Sequence, residues 1–482
     1  MAAHEPEAGA VIDGFRLEEA LHRGGMATLW RVSHAEHALP LIMKIPRLRA
    51  DDDPAAIVGF EVEQMILPRL AGPHVPRFVA AGDFSTQPYL VMERVPGESL
   101  RARLAQAPLP AEDVADIGTR VALALQALHA QHVIHLDVKP SNVLFRPDGA
   151  AVLIDFGLSH HTQLPDLLAE QFHLPMGTGP YIAPEQVLGV RSDPRSDLFA
   201  LGVTLYHLAT GERPFGNPTS VAGLRRRLYR DPLPPRALKP ELPRWLQEVI
   251  LRCLEVDADA RYASAAQLAF DLQHPAQVAL SPRAERTARD GLFARWRRWF
   301  RAIGHEPEHR VEANRASTLA PIVVAAIDVI HGEEALAEAL RTAVARHLAT
   351  GPGVRLACVT VQRVPRIGMD TAVDREGRNR HVKRLVALKN WARPLELPPE
   401  RLSFHVLEAP DAADALLDYA RNNRVDHIVM GARASSSLRR FLGSVSARVV
   451  AEAPCSVTVV RATREAARGE AVAAAADDWH TV

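Results

Sequence analysis

The feature that most constrains this sequence is a series of polar motifs in a fixed order, each set between short apolar segments. Two adjacent glycines alone usually mark a hairpin turn, so Gly24 and Gly25 carry little weight by themselves. The motifs that follow them change this interpretation, because such an ordered series does not arise by chance. In chain order the series contains Gly24-Gly25, Lys44, Glu63, the segment 134–144 with Asp137, Lys139 and Asn142, the tripeptide Asp155-Phe156-Gly157, and the segment 177–185.

The residue types in this series suit the transfer of a phosphoryl group. Glycines let backbone N–H groups approach phosphates closely, and Lys44, held by Glu63, offers them a cation. Asp155 and Asn142 supply the hard oxygen ligands that Mg²⁺ prefers. An aspartate such as Asp137 is a residue type that can accept or orient the proton of a hydroxyl group. Any one of these residues alone is usually a solvated surface group, but their joint spacing favours a common site.

Over residues 11–273, these motifs resemble those of the eukaryotic-type Ser/Thr protein kinases. The resemblance implies a bilobal protein-kinase fold of the α+β class, with a β-rich lobe up to about Met92, a hinge at 93–95 and a helical lobe beyond. It implies ATP and Mg²⁺ (or Mn²⁺) as cofactors, and transfer of the γ-phosphoryl group to protein substrates. Lys139, two residues after Asp137, matches the branch of the family whose acceptor is Ser or Thr.

The same resemblance assigns roles to individual positions. The catalytic residues that it implies are Asp137, Lys44, Glu63, Lys139, Asn142 and Asp155, of which Asn142 and Asp155 bind the metal. The residues that it implies for nucleotide binding are Leu21, His22, Gly24, Gly25, Leu29, Ile42, Lys44, Met92, Glu93, Val95, Leu144 and Asp155. We expect His135 and Asp197 to be scaffold residues. Glu185 and Arg261 are expected to form a structural ion pair.

Several positions depart from the kinase pattern. His22 and Ala27 stand where the phosphate-binding loop has its first and third glycines, which predicts weakened rather than abolished nucleotide binding. Leu136 replaces the arginine that grips a phosphate on the activation segment, so activation by phosphorylation of that segment is not expected. Pro68 should end or kink the helix that carries Glu63 and keep it short. His22 and Leu136 keep a second hypothesis open, a pseudokinase scaffold that binds nucleotide without transfer.

Residues 274–318 are polar and basic and contain prolines, which is typical of a linker. Within them, the aromatic and aliphatic residues of 292–303 fall on one helical face and the arginines mostly on the other. Such a face can dock on protein, contact an anionic membrane surface, or do neither. We favour docking on protein over membrane-surface contact.

Beyond the linker, the chain contains five apolar segments rich in β-branched residues, with helical sequence between them. These segments are 321–327, 354–361, 402–407, 425–430 and 457–460. Buried parallel strands joined by helices are the simplest account. Asp328 follows the first strand, at the sheet edge where ligands of open parallel sheets bind, although a lone aspartate there is more often a helix cap.

The last part of this region resembles the universal stress protein family. The resemblance covers about 318–463 and is carried by the segments 429–434, 438–446 and 453–460. It implies a five-stranded parallel α/β domain, a homodimer formed through the last strand and, in some members, ATP bound by a glycine motif. Gly431, Gly443 and Ser444 match that motif, but Ala434 stands at its second glycine, where a methyl group obstructs a close phosphate approach. A second nucleotide site at Asp328, Gly431, Gly443 and Ser444 is therefore an open alternative.

Composition narrows the partners and the compartment. Lys plus Arg and Asp plus Glu number 57 each, so no charge excess favours nucleic acid as a partner. Cys253, Cys358 and Cys455 lie far apart without zinc-ligand spacing, as expected for reduced thiols. Neither a signal-peptide pattern nor a bilayer-length apolar run is present. We expect a cytoplasmic protein.

The resulting hypothesis is a bacterial Ser/Thr kinase with an attached stress-related domain that binds a ligand or dimerises. A rival hypothesis is a stress sensor in which the ligand or dimer contact of the second domain is the main function, either with the kinase as its output or without efficient phosphoryl transfer. The predicted limits are 11–273 for the kinase domain, 274–318 for the linker, 319–463 for the universal stress protein domain and 464–482 for a flexible tail.

Overall fold

The computed structural model describes residues 6–24, 26–47, 54–172, 174–288, 321–330, 333–351, 353–364, 379–432 and 443–461. Several features of the sequence analysis lie outside these ranges, namely Gly25, the face 292–303, Ala434 and the tail 464–482. None of the helices in the described ranges combines the length and the apolar character needed to cross a membrane.

The N-terminal lobe is built on a six-stranded antiparallel sheet with the order β1-β2-β3-β4-β6-β5. Its strands are β1 (Val11–Ile12), β2 (Phe15–Arg23), β3 (Ala27–His34), β4 (His37–Pro46), β5 (Phe78–Gly82) and β6 (Tyr89–Glu93). Successive strand residues point to opposite faces, so Leu41, Met43 and Ile45 of β4 are buried in the lobe. Ile42 and Lys44 lie on the other face of the sheet. The Lys44 side chain therefore points toward the second lobe.

One helix, α1 (Pro54–Ile66), packs beside this sheet and carries Glu63. It ends two residues before Pro68 and continues as a 3₁₀ turn, Leu67–Arg69, since proline has no N–H to extend the helix. The position of the end agrees with the sequence analysis. The expectation that this helix is short is wrong. α1 is 13 residues long, which is an ordinary length for a helix of a globular protein.

The second lobe is helical and is organised around a central helix, α6. Its helices are α2 (Leu100–Leu104), α3 (Ala111–His129), α4 (Leu167–Gln171), α5 (Pro184–Val187), α6 (Arg195–Thr210), α7 (Val221–Arg225), α8 (Pro235–Leu238), α9 (Arg244–Cys253) and α10 (Ala265–Gln273). Every residue of α6 except Arg195 and His207 is buried, as expected of a helix surrounded by protein. α3 packs against both α6 and α10.

Two short antiparallel strand pairs hold the loops that carry the polar motifs. β7 (Val133–Ile134) pairs with β10 (His160–His161), and β8 (Val143–Phe145) pairs with β9 (Ala151–Leu153). Asp137 follows β7, and Asp155 lies between β9 and β10. The pairing therefore brings these two loops side by side. The activation segment, residues 155–185, starts at the second loop and contains α4.

The first part of the predicted linker, residues 274–288, packs on α9. Ser281 Oγ donates to Glu248 Oε1 at 2.9 Å, and Arg283 pairs with Glu248 at 3.2 Å and with Glu255 at 2.6 Å. Ala284 is fully buried. These residues thus add ordered structure after α10, while the predicted domain limits stay predictions.

The second folded part contains one parallel five-stranded sheet with the order β13-β12-β11-β14-β15. Its strands are β11 (Ile322–Ala326), β12 (Arg355–Arg363), β13 (Leu402–Ala409), β14 (His427–Gly431) and β15 (Ser456–Val460). Its helices are α11 (Glu334–Leu348), α12 (Arg380–Ala392), α13 (Ala412–Asn422) and α14 (Ser444–Glu452). The predicted fold class, a bilobal α+β unit followed by a five-stranded parallel α/β domain, is confirmed.

The two folded parts share one buried apolar cluster. It contains Ile57 and Phe60 of α1 as well as Leu385 and Leu388 of α12. The contact surface between the parts therefore includes the helix that carries Glu63.

Candidate active site

Lys44, Glu63 and Asp155 meet between the two lobes. Lys44 Nζ donates to Glu63 Oε2 at 2.5 Å and to Asp155 Oδ1 at 2.9 Å. The side chain of Glu63 is only 1% exposed, whereas that of Asp155 is 46% exposed. The lysine is thus anchored on a buried carboxylate and shares the open side of the site with a second one.

The charges in this cluster keep the side chains of Lys44 and Asp155 ionised. Burial acts to lower the pKa of Lys44, but the negative charges of Asp155 and Glu63 outweigh it and raise that pKa. The Lys44 ammonium lowers the pKa of Asp155 to about 2. Burial raises the pKa of Glu63, and its ion pair with Lys44 offsets only part of this effect. Near neutral pH, Lys44 is therefore a cation and Asp155 an anion.

The backbone fixes Asp155 against α1. Asp155 adopts a left-handed conformation with φ of 67°, and the next amide, that of Phe156, donates to Glu63 Oε1 at 3.3 Å. Gly59 of α1 lies against Gly157, where an added Cβ would stand 3.0 Å from the Gly157 carbonyl oxygen. Glycine at both positions allows this close approach, which ties the placement of α1 to that of Asp155.

Asp137 lies in a buried network beside this cluster. Its Oδ1 accepts from the backbone N–H of Thr178 at 3.0 Å and from Thr178 Oγ1 at 2.8 Å. Its Oδ2 accepts from Lys139 Nζ at 2.5 Å and from Asn142 Nδ2 at 3.2 Å. Lys139 Nζ also donates to Thr178 Oγ1 at 2.9 Å. The activation segment is therefore attached to the loop that carries Asp137.

The donor set fits a divalent cation. The amide nitrogen of Asn142 donates to the backbone oxygen and to Oδ2 of Asp137, so the amide presents its oxygen rather than its nitrogen to a ligand. The half-exposed carboxylate of Asp155 offers further oxygen. Carboxylate and amide oxygens are the ligands that Mg²⁺ prefers.

His135 and Asp197 form the support of the Asp137 loop. Asp197, fully buried on α6, accepts from the backbone N–H groups of His135 at 2.9 Å and Leu136 at 2.8 Å. The ring of His135 is buried and its Nε2 lies 3.0 Å from the carbonyl oxygen of Ile154. Leu136 has a positive φ of 61°, which its two backbone hydrogen bonds, to Asp197 and from Gln186, hold in place.

The hairpin between β2 and β3 is the predicted phosphate-binding loop. The N–H of Gly24 donates to Ala27 O at 3.0 Å, and Arg47 Nη1 donates to Gly24 O at 2.9 Å. A Cβ at Gly24 would stand 3.3 Å from His22 Nε2, so the exposed His22 ring lies beside the loop backbone. Arg47, which the sequence analysis did not identify, helps to close the hairpin.

The other positions assigned to nucleotide binding lie in strands of the N-terminal lobe, in the hinge, and in β8 of the helical lobe. Leu21 is exposed, Leu29, Ile42 and Leu144 are half-buried, and Met92, Glu93 and Val95 are buried. The side chain of Glu93 is engaged in an ion pair with Arg146, whose hydrogen bonds lower the pKa of Glu93. The backbone N–H of Glu93 is also engaged, since it donates to Arg77 O at 2.8 Å.

The predicted pair of Glu185 and Arg261 is present in the helical lobe. Arg261 Nη1 and Nη2 each donate to one oxygen of Glu185 at 2.7 Å. Arg261 is fully buried and stacks 5.0 Å from the ring of Phe199. This bidentate pair joins the end of the activation segment to the body of the lobe.

The candidate site of the second domain lies where the strand order reverses. β12 and β14 lie on opposite sides of β11, so Asp328, just after β11, and Gly431, at the end of β14, lie at the same carboxyl edge of the sheet. A Cβ on Gly431 would stand 2.9 Å from Leu336, so packing of α11 already explains this glycine. A Cβ on Gly443 would make only an ordinary contact, 3.7 Å from Ser446. Ser444 is exposed at the start of α14.

Sequence reasoning missed one buried ionic cluster. Glu170, in α4 of the activation segment, contacts Arg355 and His405 of the second domain. A lone glutamate usually faces solvent, and its partners lie far along the chain, so no local pattern could have identified it.

Comparison with known proteins agrees with this geometry. The protein kinase domain family matches residues 15–274, and the universal stress protein family matches residues 321–461. The chain is 34% identical over 293 residues to the serine/threonine-protein kinase Pkn1 of Myxococcus xanthus, covering 60% of this chain and 41% of that protein. It is 30% identical over 287 residues to the serine/threonine-protein kinase PknB of Mycolicibacterium smegmatis, covering 57% of this chain and 46% of that protein.

Among solved structures, the kinase domain of PknI from Mycobacterium tuberculosis (C20A mutant) is 27% identical and covers 57% of this chain and all of that one, with a TM-score of 0.44. The chain spans less than half of the length of the two curated relatives. Since its family match covers more than half of the chain, the protein belongs to the protein kinase family, and it carries a C-terminal universal stress protein domain.

Proposed function

We propose that this protein transfers the γ-phosphoryl group of ATP to Ser or Thr residues of protein substrates. The observation that carries the proposal is the position of Lys44 Nζ, 2.5 Å from Glu63 and 2.9 Å from Asp155. Phosphoryl transfer depends mainly on positioning and on charge neutralisation, and this cluster supplies both at one place.

Lys44 would bind the α and β phosphates of ATP. Its ion pair with the buried Glu63 fixes the ammonium before the nucleotide arrives, so little reorganisation is needed on binding. Asp155 and Asn142 would hold Mg²⁺ or Mn²⁺, which when bound neutralises phosphate charge.

Asp137 would orient the acceptor hydroxyl and accept its proton. Its carboxylate already accepts four hydrogen bonds, from the N–H and Oγ1 of Thr178, from Lys139 and from Asn142. A carboxylate has about four acceptor positions, so an incoming hydroxyl must replace one of these donors. Thr178 Oγ1 and Lys139 are the donors that a Ser or Thr hydroxyl could replace without moving the backbone.

The direct test measures transfer of labelled phosphate from ATP to a protein acceptor by the full chain, with Mg²⁺ or Mn²⁺ present. We expect label on Ser or Thr and a loss of at least about 100-fold in Asp137→Asn. Asp116→Asn is the matched control, because Asp116 is an exposed partner of Arg120 away from the site. Equal activity of Asp137→Asn and the control, or label on Tyr, would overturn the proposal.

The second domain is proposed to bind nucleotide at Asp328, Gly431, Gly443 and Ser444, and to form a homodimer through β15. The space around Gly443 and the reversal of strand order beside Asp328 support the nucleotide site. β15 is an edge strand of the sheet, which supports the dimer. Titration of the full chain with a nonhydrolysable ATP analogue should give two sites, and Gly443→Asp should leave one. A single site in the unaltered chain excludes the second nucleotide site.

A further inference from the structure

A pocket of the second domain encloses a carboxylate of the activation segment. Arg355 Nη2 donates to Glu170 Oε1 at 2.6 Å, and His405 Nε2 lies 2.9 Å from Glu170 Oε2. Tyr419 OH and Ser403 Oγ each donate to Oε2 at 3.3 Å. The four partners come from β12, β13 and α13, so the pocket belongs wholly to the second domain.

The pocket is built for a negative charge. The side chain of Glu170 is 11% exposed and that of His405 is fully buried. Burial alone would raise the pKa of Glu170, but the Arg355 charge and the His405 hydrogen bond outweigh it and lower that pKa to about 2. Both carboxylate oxygens are satisfied, as a buried anion requires.

The Gln171 side chain and the Glu170 carbonyl also contact the second domain. Gln171 Nε2 donates to Val406 O at 3.0 Å, and Asn423 Nδ2 donates to Glu170 O at 3.2 Å. Val406 lies on β13, which is an edge strand of the sheet formed by the described residues and leaves its outer backbone groups without a strand partner there. α4 thus covers this sheet edge, and the edge in turn fixes α4.

The opposite end of α4 is anchored in the kinase domain. Asp166 caps α4 by accepting from the Ala169 N–H at 3.1 Å, and Arg191 Nε donates to Asp166 Oδ2 at 2.8 Å. α4 also packs against α1. The short helix is therefore held between the kinase domain and the pocket.

A second contact reaches α1 directly. Lys389 Nζ of α12 pairs with Glu61 Oε1 at 2.5 Å. The same ammonium lies 5.2 Å from the ring of Phe84 and 5.8 Å from that of Phe404. Glu61 is two residues before Glu63 on the same helix, so this contact restrains the partner of Lys44.

We propose that the second domain is a built-in activating partner of the kinase domain, in which the Glu170 pocket and Lys389 hold the activation segment and α1 in the arrangement that pairs Lys44 with Glu63. This inference rests on the proposed phosphoryl transfer and states how that activity is regulated.

Two observations favour activation over inhibition. The Lys44–Glu63 pair and the Asp137–Thr178 contacts are formed while the domain is docked. Leu136 cannot grip a loop phosphate, whereas Glu170 provides a permanent anion that Arg355 binds.

The test uses the full chain with Glu170→Gln and Lys389→Met, each alone and combined. Lys389→Arg, which keeps the charge, and Arg341→Met, which breaks an ion-pair cluster within α11, are the controls. Hydrogen exchange of residues 167–171 and 54–66 reports docking. Affinity for a nonhydrolysable ATP analogue and the rate of phosphoryl transfer report the site.

We expect faster exchange of 167–171 in Glu170→Gln and of 54–66 in Lys389→Met. Each variant should bind the analogue about 5- to 10-fold more weakly and transfer phosphate more slowly, since the docking and nucleotide sites share a coupling free energy. Both controls should match the unaltered chain.

Unchanged exchange in both variants would show that the contacts do not form, and would overturn the inference. Faster exchange with equal or higher affinity and rate would overturn it as well, because the domain would then be passive or inhibitory. The proposed function fails separately: an unaltered chain that transfers no phosphate, but shows the expected exchange and affinity changes, loses the catalytic proposal and keeps the docking one.

Discussion

Asp155 and Glu170 are two carboxylates of the same activation segment, and the structure treats them in opposite ways. In both, neighbouring groups lower the pKa to about 2: the Lys44 charge at Asp155, and the Arg355 charge and the His405 hydrogen bond at Glu170. The side chain of Asp155 is 46% exposed, whereas that of Glu170 is 11% exposed and has both oxygens bound. A lowered pKa therefore does not by itself separate a reactive group from an architectural one.

The two carboxylates differ in whether an oxygen atom remains free to bind a ligand. Asp155 shares one oxygen with Lys44 and faces the space between the lobes, so it can bind a cation together with Asn142. Glu170 has no such opening, and its partners belong to a different domain. We infer that the start of the segment serves chemistry and that its middle serves docking.

The largest effect should come from Lys44→Met. This variant removes the cation that neutralises phosphate charge and should lower phosphoryl transfer at least about 100-fold. Rates at equal folded concentration are the measurement, with Arg103→Met as control, because Arg103 pairs with Asp113 on the exposed surface. Equal rates in both variants would place the chemistry elsewhere.

Glu170→Gln should lower the free energy of unfolding by about 2 to 3 kcal/mol, because it leaves Arg355 without its charged partner in a buried site. Denaturant titration of the full chain, followed by a probe in each domain, measures the loss. Glu338→Gln is the matched control, since it removes a carboxylate from an exposed pair with Arg341, and such pairs contribute about 1 kcal/mol or less. Equal losses in the two variants would contradict a closed pocket.

The same comparison depends on pH. Glu170 has its pKa lowered from an ordinary 4.5 to about 2, so its stabilising charge is fully present above about pH 4.5 and is lost as the pH falls toward 2. Arg355, His405 and Tyr419 are the titratable groups that face it. Below about pH 5, the difference in unfolding free energy between the unaltered chain and Glu170→Gln should shrink by roughly 1 kcal/mol per pH unit. If the difference in unfolding free energy is as large at pH 3 as at pH 5, the lowered pKa of Glu170 does not contribute to stability as predicted.

The smallest effect is expected at Thr162, a hydroxyl of the activation segment that precedes α4. Because Leu136 cannot bind a phosphate and Glu170 already anchors the segment, Thr162→Ala should leave the transfer rate within a few-fold of the unaltered chain. Phosphatase treatment of the purified chain should likewise have little effect. Silencing by either one would indicate regulation through a loop phosphate.

The functional residues that could be predicted from the sequence are those that occur in motifs. Lys44, Asp137 and Asp155 belong to a spaced series whose chemistry is recognisable in order, and the apolar segments of the second domain have the β-branched composition of buried strands. The expectation that α1 is short was wrong, because a proline limits only where a helix ends and not where it begins. The docking of α4 could not be predicted, since Glu170 and its partners are separated by about 185 residues or more along the chain and none of them has a distinctive neighbourhood.

The most direct test of the account measures Asp155→Asn and Glu170→Gln side by side in the full chain. Transfer of labelled phosphate and hydrogen exchange of residues 167–171 are recorded for both at equal folded concentration. The account predicts that Asp155→Asn loses at least about 100-fold in transfer with unchanged exchange of α4, while Glu170→Gln accelerates that exchange and loses only about 10-fold in transfer. Loss of transfer without faster exchange in Glu170→Gln, or nearly full transfer in Asp155→Asn, would contradict the division between a chemical and a docking carboxylate.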